Sequence, residues 1–182
     1  MGRVFLIPLF VAAFYLPDTY SYYMSTLIFG IAAFTDWLDG YLARSRNEIT
    51  AFGRFLDPVA DKLLVASALV LLVSDDRAPA ILAIIIIGRE IAIGALREWL
   101  AERSSIVKVS ILGKWKTLIQ MFAIGALLIH NTLFGLNFHW LGTVLLWMAA
   151  ILTLWSGYEY MYNAWPELAR KPATEKTTDV NE

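Results

Sequence analysis

The chain has no cysteine, which excludes a disulfide framework and any thiolate chemistry. Histidine is nearly missing too. His130 and His139 are the only two, both far along the chain from its acidic stretch, and both are expected at a membrane surface rather than as ligands. Charge is sparse and balanced, with 15 Lys and Arg against 16 Asp and Glu, so nothing offers a basic face to nucleic acid. No internal repeat and no low-complexity run is present. What fills the chain instead is apolar. Of 182 residues 58% are hydrophobic, seven are tryptophan, and mean hydropathy is positive. That composition is too apolar for an ordinary soluble domain and points to a membrane protein.

Six apolar segments account for most of the length and leave no room for a separate soluble domain. They run about Val4 to Leu16, Tyr22 to Leu42, Phe55 to Val73, Ala80 to Leu100, Ile111 to His130 and Trp140 to Met161. The first is short for a spanning helix, which needs about 20 residues, and Gly2-Arg3 before it gives it some likeness to a signal peptide, but no small-x-small cleavage site follows. Asp57-Pro58 allows two readings: a cap with proline in the first helical turn, or a kink inside a helix. Residues 166–182 form a polar tail, expected to be disordered, after a membrane domain over residues 1–165. The turns near Asp18, Asp75 and Asn131 hold one basic residue, Arg77; the rest lie at the opposite ends of the segments, in the adjoining helix halves or in the tail. By the positive-inside rule both termini face the cytoplasm. Trp99 and Trp115 then mark one interface and Trp140 the other.

The exception to this apolar pattern is the stretch from Asp36 to Asp61. Asp36 and Asp39 are three residues apart, while Gly53, Asp57 and Asp61 are each four apart, so each set falls on one helical face. Gly40 and Ala43 add almost no bulk beside the first pair, leaving room for a ligand or a second helix. Ionisable groups in an apolar segment are expensive and mark function by default. Two acidic faces brought together repel unless cations lie between them. Carboxylates as the main donors, with no cysteine and no nearby histidine, select Mg²⁺ or Mn²⁺ over Zn²⁺, and two such ions balance four aspartates. Asp75 and Asp76 are expected to be solvated loop charges outside the site.

The pattern D-x-x-D-G-x-x-A-R, then eight residues, then G-x-x-x-D-x-x-x-D, spans Asp36 to Asp61 and resembles the signature of the CDP-alcohol phosphotransferase family at every fixed position. The resemblance implies an all-α integral membrane enzyme of six transmembrane helices in a bacterial inner membrane, commonly a homodimer. It implies transfer of the phosphatidyl group of CDP-diacylglycerol to an alcohol, with release of CMP. It also implies two Mg²⁺ or Mn²⁺ ions on Asp36, Asp39, Asp57 and Asp61, and a CDP-diacylglycerol pocket lined by Gly40, Ala43, Arg44 and Gly53, with a weaker contact from Thr50. Arg44 is the nearest counter-charge for the diphosphate. Asp61 is the candidate general base; the alternative is that it only ligates metal and water takes the proton. One departure stands out. The family's first helix usually carries N-x-x-T-x-x-R, and here Arg3 occurs without the Asn and Thr, so this helix is expected to be truncated at its start.

Arg89, Arg97, Lys114 and Lys116 are the candidates for the acceptor. Arg89, near the middle of its segment, is expected to face the interior, either in a cationic pocket for a phosphorylated alcohol or paired with Glu90 or an aspartate. Glu90, Glu98 and Glu102 read as charge partners rather than catalysts. The L-R-E-W and G-K-x-K-T pieces resemble the glycerol-phosphate branch of the family and imply glycerol 3-phosphate as acceptor, with inositol phosphate as the alternative. Two remoter readings weigh less. An intramembrane prenyltransferase would carry its aspartate motifs on more widely separated helices. A divalent-cation transporter leaves Arg44, Arg89 and Arg97 without a role and would need inverted repeats or broken helices.

Overall fold

In a computed structural model, the described residues are 3–46, 51–102, 111–129, 132–133 and 136–169. Among them the side chains of residues 3–5, 18–19, 36–46, 51–58, 61, 102, 111–112, 114 and 132–133 are outside the description, and only their backbone positions are used. The described residues form six helices: α1 (Arg3–Phe14), α2 (Asp18–Arg46), α3 (Ala51–Ser74), α4 (Ala80–Glu102), α5 (Ile111–Ile129) and α6 (Phe138–Leu168). A two-residue antiparallel ladder, Thr132–Leu133 against Leu136–Asn137, turns the chain between α5 and α6.

Each apolar segment of the sequence is a helix, and several helices outrun their segment because polar first and last turns extend them. α6 starts early: the side chain of Asn137 caps it by accepting from the Trp140 N–H at 3.0 Å. α3 starts earlier still, at Ala51, so Pro58 is inside the helix and Asp57 is not its cap. Serine and threonine hydroxyls in the apolar turns find acceptors locally. Ser25 donates to the Ser21 carbonyl at 2.5 Å and Thr26 to the Tyr22 carbonyl at 2.6 Å, so neither hydroxyl is left bare in an apolar setting.

Arg77 sets the direction of the bundle. α3 ends in a paired-hydrogen-bond turn: Asp76 takes the left-handed conformation (φ 55°), its N–H reaches the Val73 carbonyl at 3.2 Å, and the Arg77 N–H reaches Leu72 at 2.9 Å. This folds Arg77 back under the helices, where it is buried. Its guanidinium donates to Asp75 at 2.5 Å and to the Leu128 carbonyl at 3.2 Å, and it lies 5.3 Å from the Phe14 ring and 4.4 Å from the Tyr22 ring. One side chain thus ties together the last turns of α1, α3 and α5 and the first turn of α2. The helices therefore alternate in direction, and the C-terminal end of α2 and the N-terminal end of α3 are at the other end.

The main core joins Phe10, Phe29, Ala32, Leu64, Leu69, Leu72, Leu82, Ile86, Ile124, Leu127 and Leu146. A second, smaller cluster, Ile93, Leu100, Tyr160 and Ala164, zips α4 to α6. The outside of the bundle is apolar as well. Trp147, Ile151, Leu154, Trp155, Phe122, Ile84 and Val70 are all exposed, far more than a soluble monomer leaves in water. Among the described residues, α6 alone combines the length and hydropathy needed to cross a membrane by itself; shorter apolar helical stretches are Lys62–Ser74 and Trp115–Ile129.

Candidate active site

The four aspartates are on two helices at matching depth. Asp36 stands ten residues before the end of α2 and Asp61 ten residues after the start of α3, about 15 Å of helix in each case. Residues 47–50 join the two helices, and a link of that length reaches no more than about 19 Å. The register of the buried residues shows which faces the acidic positions share. On α2, Ser25, Phe29 and Ala32 are buried, and the same alternation of four and three continues through Asp36, Asp39 and Ala43. On α3, counting back from buried Ala68 and Leu64, the stripe reaches Asp61, Asp57 and Gly53. By backbone register, both acidic sets fall on the same helical face as those buried residues. Gly40 and Arg44 occupy the same last turns of α2. Thr50 lies outside the described residues, as does His130.

The acceptor candidates divide. Arg89 is nearly buried and donates to Ser156 on α6 at 2.9 Å and to Glu90 at 3.4 Å. Lys116 on α5 donates to the same Glu90 oxygen. One carboxylate thus serves two buried cations, which leaves the cluster with a net positive charge. Gly157 makes room for this: a Cβ there would stand 3.3 Å from the Cγ and Nε of Arg89. The Nε–H of Arg89 has no hydrogen-bond partner among the described residues, and neither does the buried hydroxyl of Thr153 one turn before Gly157. A buried cationic donor left unpaired is costly and suits an anionic ligand. Arg97 lies at the edge of this group, near enough for its charge to act on Arg89 and Lys116. It is about 12 Å further along α4, exposed, with its guanidinium 5.6 Å from the Tyr160 ring. Lys114 and Lys116 are two residues apart, so their positions fall on different faces of α5.

Arg89 faces the interior, as expected, and of the two surroundings the sequence left open it shows the pair with Glu90. Ser156 and Tyr160 had no signal of their own, being single polar residues in an apolar helix. Only their spacing around small Gly157 hints at a contact. Asp75 and Asp76 are exposed, as expected, although Asp75 also partners Arg77.

Bacterial proteins match most of this chain. It is 53% identical over 164 residues to a CDP-diacylglycerol–glycerol-3-phosphate 3-phosphatidyltransferase of Haemophilus influenzae, covering 87% of this chain and 86% of that protein. It is 48% identical over 170 residues to the proteins so named in Shigella flexneri and Escherichia coli, covering 91% of this chain and 92% of each. Residues 1–155 match the family model for CDP-alcohol phosphatidyltransferase. The chain belongs to the CDP-alcohol phosphatidyltransferase family.

Proposed function

We propose that this protein moves the phosphatidyl group of CDP-diacylglycerol to glycerol 3-phosphate, giving phosphatidylglycerol phosphate and CMP, as a six-span enzyme of the bacterial cytoplasmic membrane. One observation carries the reading: on α2 and α3 the helical face of the buried residues continues through the four aspartate positions, in the half of the bundle opposite the Arg77 turn. The names of relatives at about half identity support the choice of acceptor. The basic residues gathered at the aspartate end support a cytoplasmic active site. Homodimer assembly belongs to the same proposal and rests on family membership alone.

The donor set fits hard divalent cations. It consists of carboxylates in two pairs at helical spacing, in a sequence without cysteine, with both histidines outside these helices. Asp36, Asp39, Asp57 and Asp61 would hold Mg²⁺ or Mn²⁺, which would neutralise diphosphate charge as it develops. The other roles fall to the chain itself. Arg44 pairs with the diphosphate. Gly40, Ala43 and Gly53 leave space for the nucleotide, and Thr50 adds a hydroxyl. Arg89 and Lys116 hold the acceptor phosphate, with Arg97 and Lys114 drawing it in from the aqueous side. Asp61 accepts the proton that the acceptor hydroxyl loses on attack, and CMP leaves.

The test is incorporation of labelled acceptor into lipid by the purified protein with CDP-diacylglycerol and Mg²⁺. Glycerol 3-phosphate, inositol phosphate, serine and inositol are compared. Label should enter lipid, and CMP should appear, with glycerol 3-phosphate alone. Incorporation of inositol phosphate in its place would reassign the acceptor.

A further inference from the structure

Beside the cation cluster is a cavity of about 280 Å³ between α3, α4 and α5. Its walls are largely apolar, with Val65, Ile86 and Ile87 among them, but four polar side chains also line it: Lys62, Glu90, Thr117 and Gln120. Their placement ties the cavity to the proposed site. Lys62 directly follows Asp61, and its ammonium packs against α4 at Gly94, where any side chain would collide with it. Glu90 is the carboxylate shared by Arg89 and Lys116, and Gln120 stands one turn beyond Lys116 on α5.

Gln120 is the odd member. It is 97% buried, at 3% relative exposure, and among the described residues its side-chain carbonyl oxygen has no hydrogen-bond partner. A buried acceptor without a donor destabilises the fold unless something brings one. Among the described residues, none of the nearby cations Lys62, Arg89 and Lys116 is placed to donate to it. A ligand hydroxyl can, and a hydrogen bond made in such apolar surroundings discriminates strongly.

We propose that Gln120 is a specificity-determining residue that accepts a hydrogen bond from the central hydroxyl of the acceptor, while the terminal hydroxyl attacks phosphorus. The cavity holds the three-carbon unit of a phosphorylated polyol, with its phosphate toward Arg89 and Lys116. This rests on the acceptor reading above and adds to it how the alcohol, rather than its phosphate, is recognised.

The test compares glycerol 3-phosphate with 3-hydroxypropyl phosphate, which keeps the phosphate and the terminal hydroxyl and lacks only the central one. The wild-type protein should use glycerol 3-phosphate with a kcat/KM about 10- to 100-fold higher. Gln120→Met should remove most of that preference by raising the KM for glycerol 3-phosphate, leaving the KM for CDP-diacylglycerol and turnover of the analogue within about threefold. Its Tm should not fall, because an unpaired acceptor is replaced by an apolar chain of similar size. Equal use of the two acceptors by the wild type would overturn the proposal, and so would a Gln120→Met preference equal to wild type. Failure of Gln120→Met to fold would overturn it too, since it would show the amide to be a structural partner. Wild-type incorporation of glycerol 3-phosphate is the control that separates the readings. With incorporation present and no preference, only the role of Gln120 falls; with no incorporation, the acceptor assignment falls as well.

Discussion

Arg77 and Arg89 are both arginines withdrawn from water in an apolar bundle, yet their surroundings differ in kind. Arg77, at 5% side-chain exposure, is held by a carboxylate, a backbone carbonyl and two aromatic rings contributed by α1, α2 and α5 as well as its own turn. Arg89, at 13%, shares its carboxylate with Lys116 and keeps a buried N–H without a partner among the described residues. The first is an internal knot whose partners come with the fold. The second is a group whose partners the fold supplies only in part. Burial alone does not distinguish a structural cation from a binding one; the completeness of its partners does.

Variants at the two ends should therefore fail differently. The largest effect is expected at the acidic stripe. Asp39→Asn should lower turnover by about 10²–10³-fold or more while the protein inserts and folds normally, as read by CMP release and by size-exclusion profile in detergent. Next, Arg89→Met should raise the KM for glycerol 3-phosphate by about 100-fold, the loss of a charge-assisted contact, with the KM for CDP-diacylglycerol unchanged. Arg77→Met should do the reverse. It strands Asp75 and unties four helices, so thermal unfolding should show a loss of about 3 kcal/mol with acceptor KM intact. If Arg77→Met raised the KM and Arg89→Met only lowered stability, the comparison would be inverted. A smaller loss is expected at Gly142, where a Cβ would stand 2.7 Å from Leu127 Cγ and 3.0 Å from its backbone nitrogen. Gly142→Ala should push α6 from α5 and lower stability by about 1–3 kcal/mol. The smallest belongs to Asp75→Asn, which keeps a hydrogen-bond acceptor beside Arg77 and should cost about 1 kcal/mol in the same assay, because this carboxylate is half exposed.

The sequence shows much of this where the information is local. Helical spacing placed Asp36 with Asp39 and Asp57 with Asp61, and hydropathy located all six helices, with ends within about four residues except that α6 runs seven residues past Met161 to Leu168. Arg89 was legible as an interior cation because a charge in the middle of an apolar segment has few other places to go. What was not legible depends on partners far apart in the chain. Ser156 meets Arg89 across 67 residues and Glu90 meets Lys116 across 26, and no local pattern encodes either. Arg77 was hidden for a different reason. Ser74-Asp-Asp-Arg reads as a solvated turn, and only the left-handed Asp76 reverses the chain and carries the arginine inward. The start of α3 was equally opaque, since Asp57-Pro58 is an acceptable helix opening by composition. The preceding turn, from Ala51, overrides it.

The most direct measurement of the central claim is a cation titration of CMP release. The purified protein is stripped with chelator, given CDP-diacylglycerol and glycerol 3-phosphate, and assayed as Mg²⁺ is returned. Release should be absent in the stripped protein and should recover in full with added Mg²⁺. Turnover that persists undiminished in excess chelator would contradict the assignment of Asp36, Asp39, Asp57 and Asp61 as the residues that hold the cations.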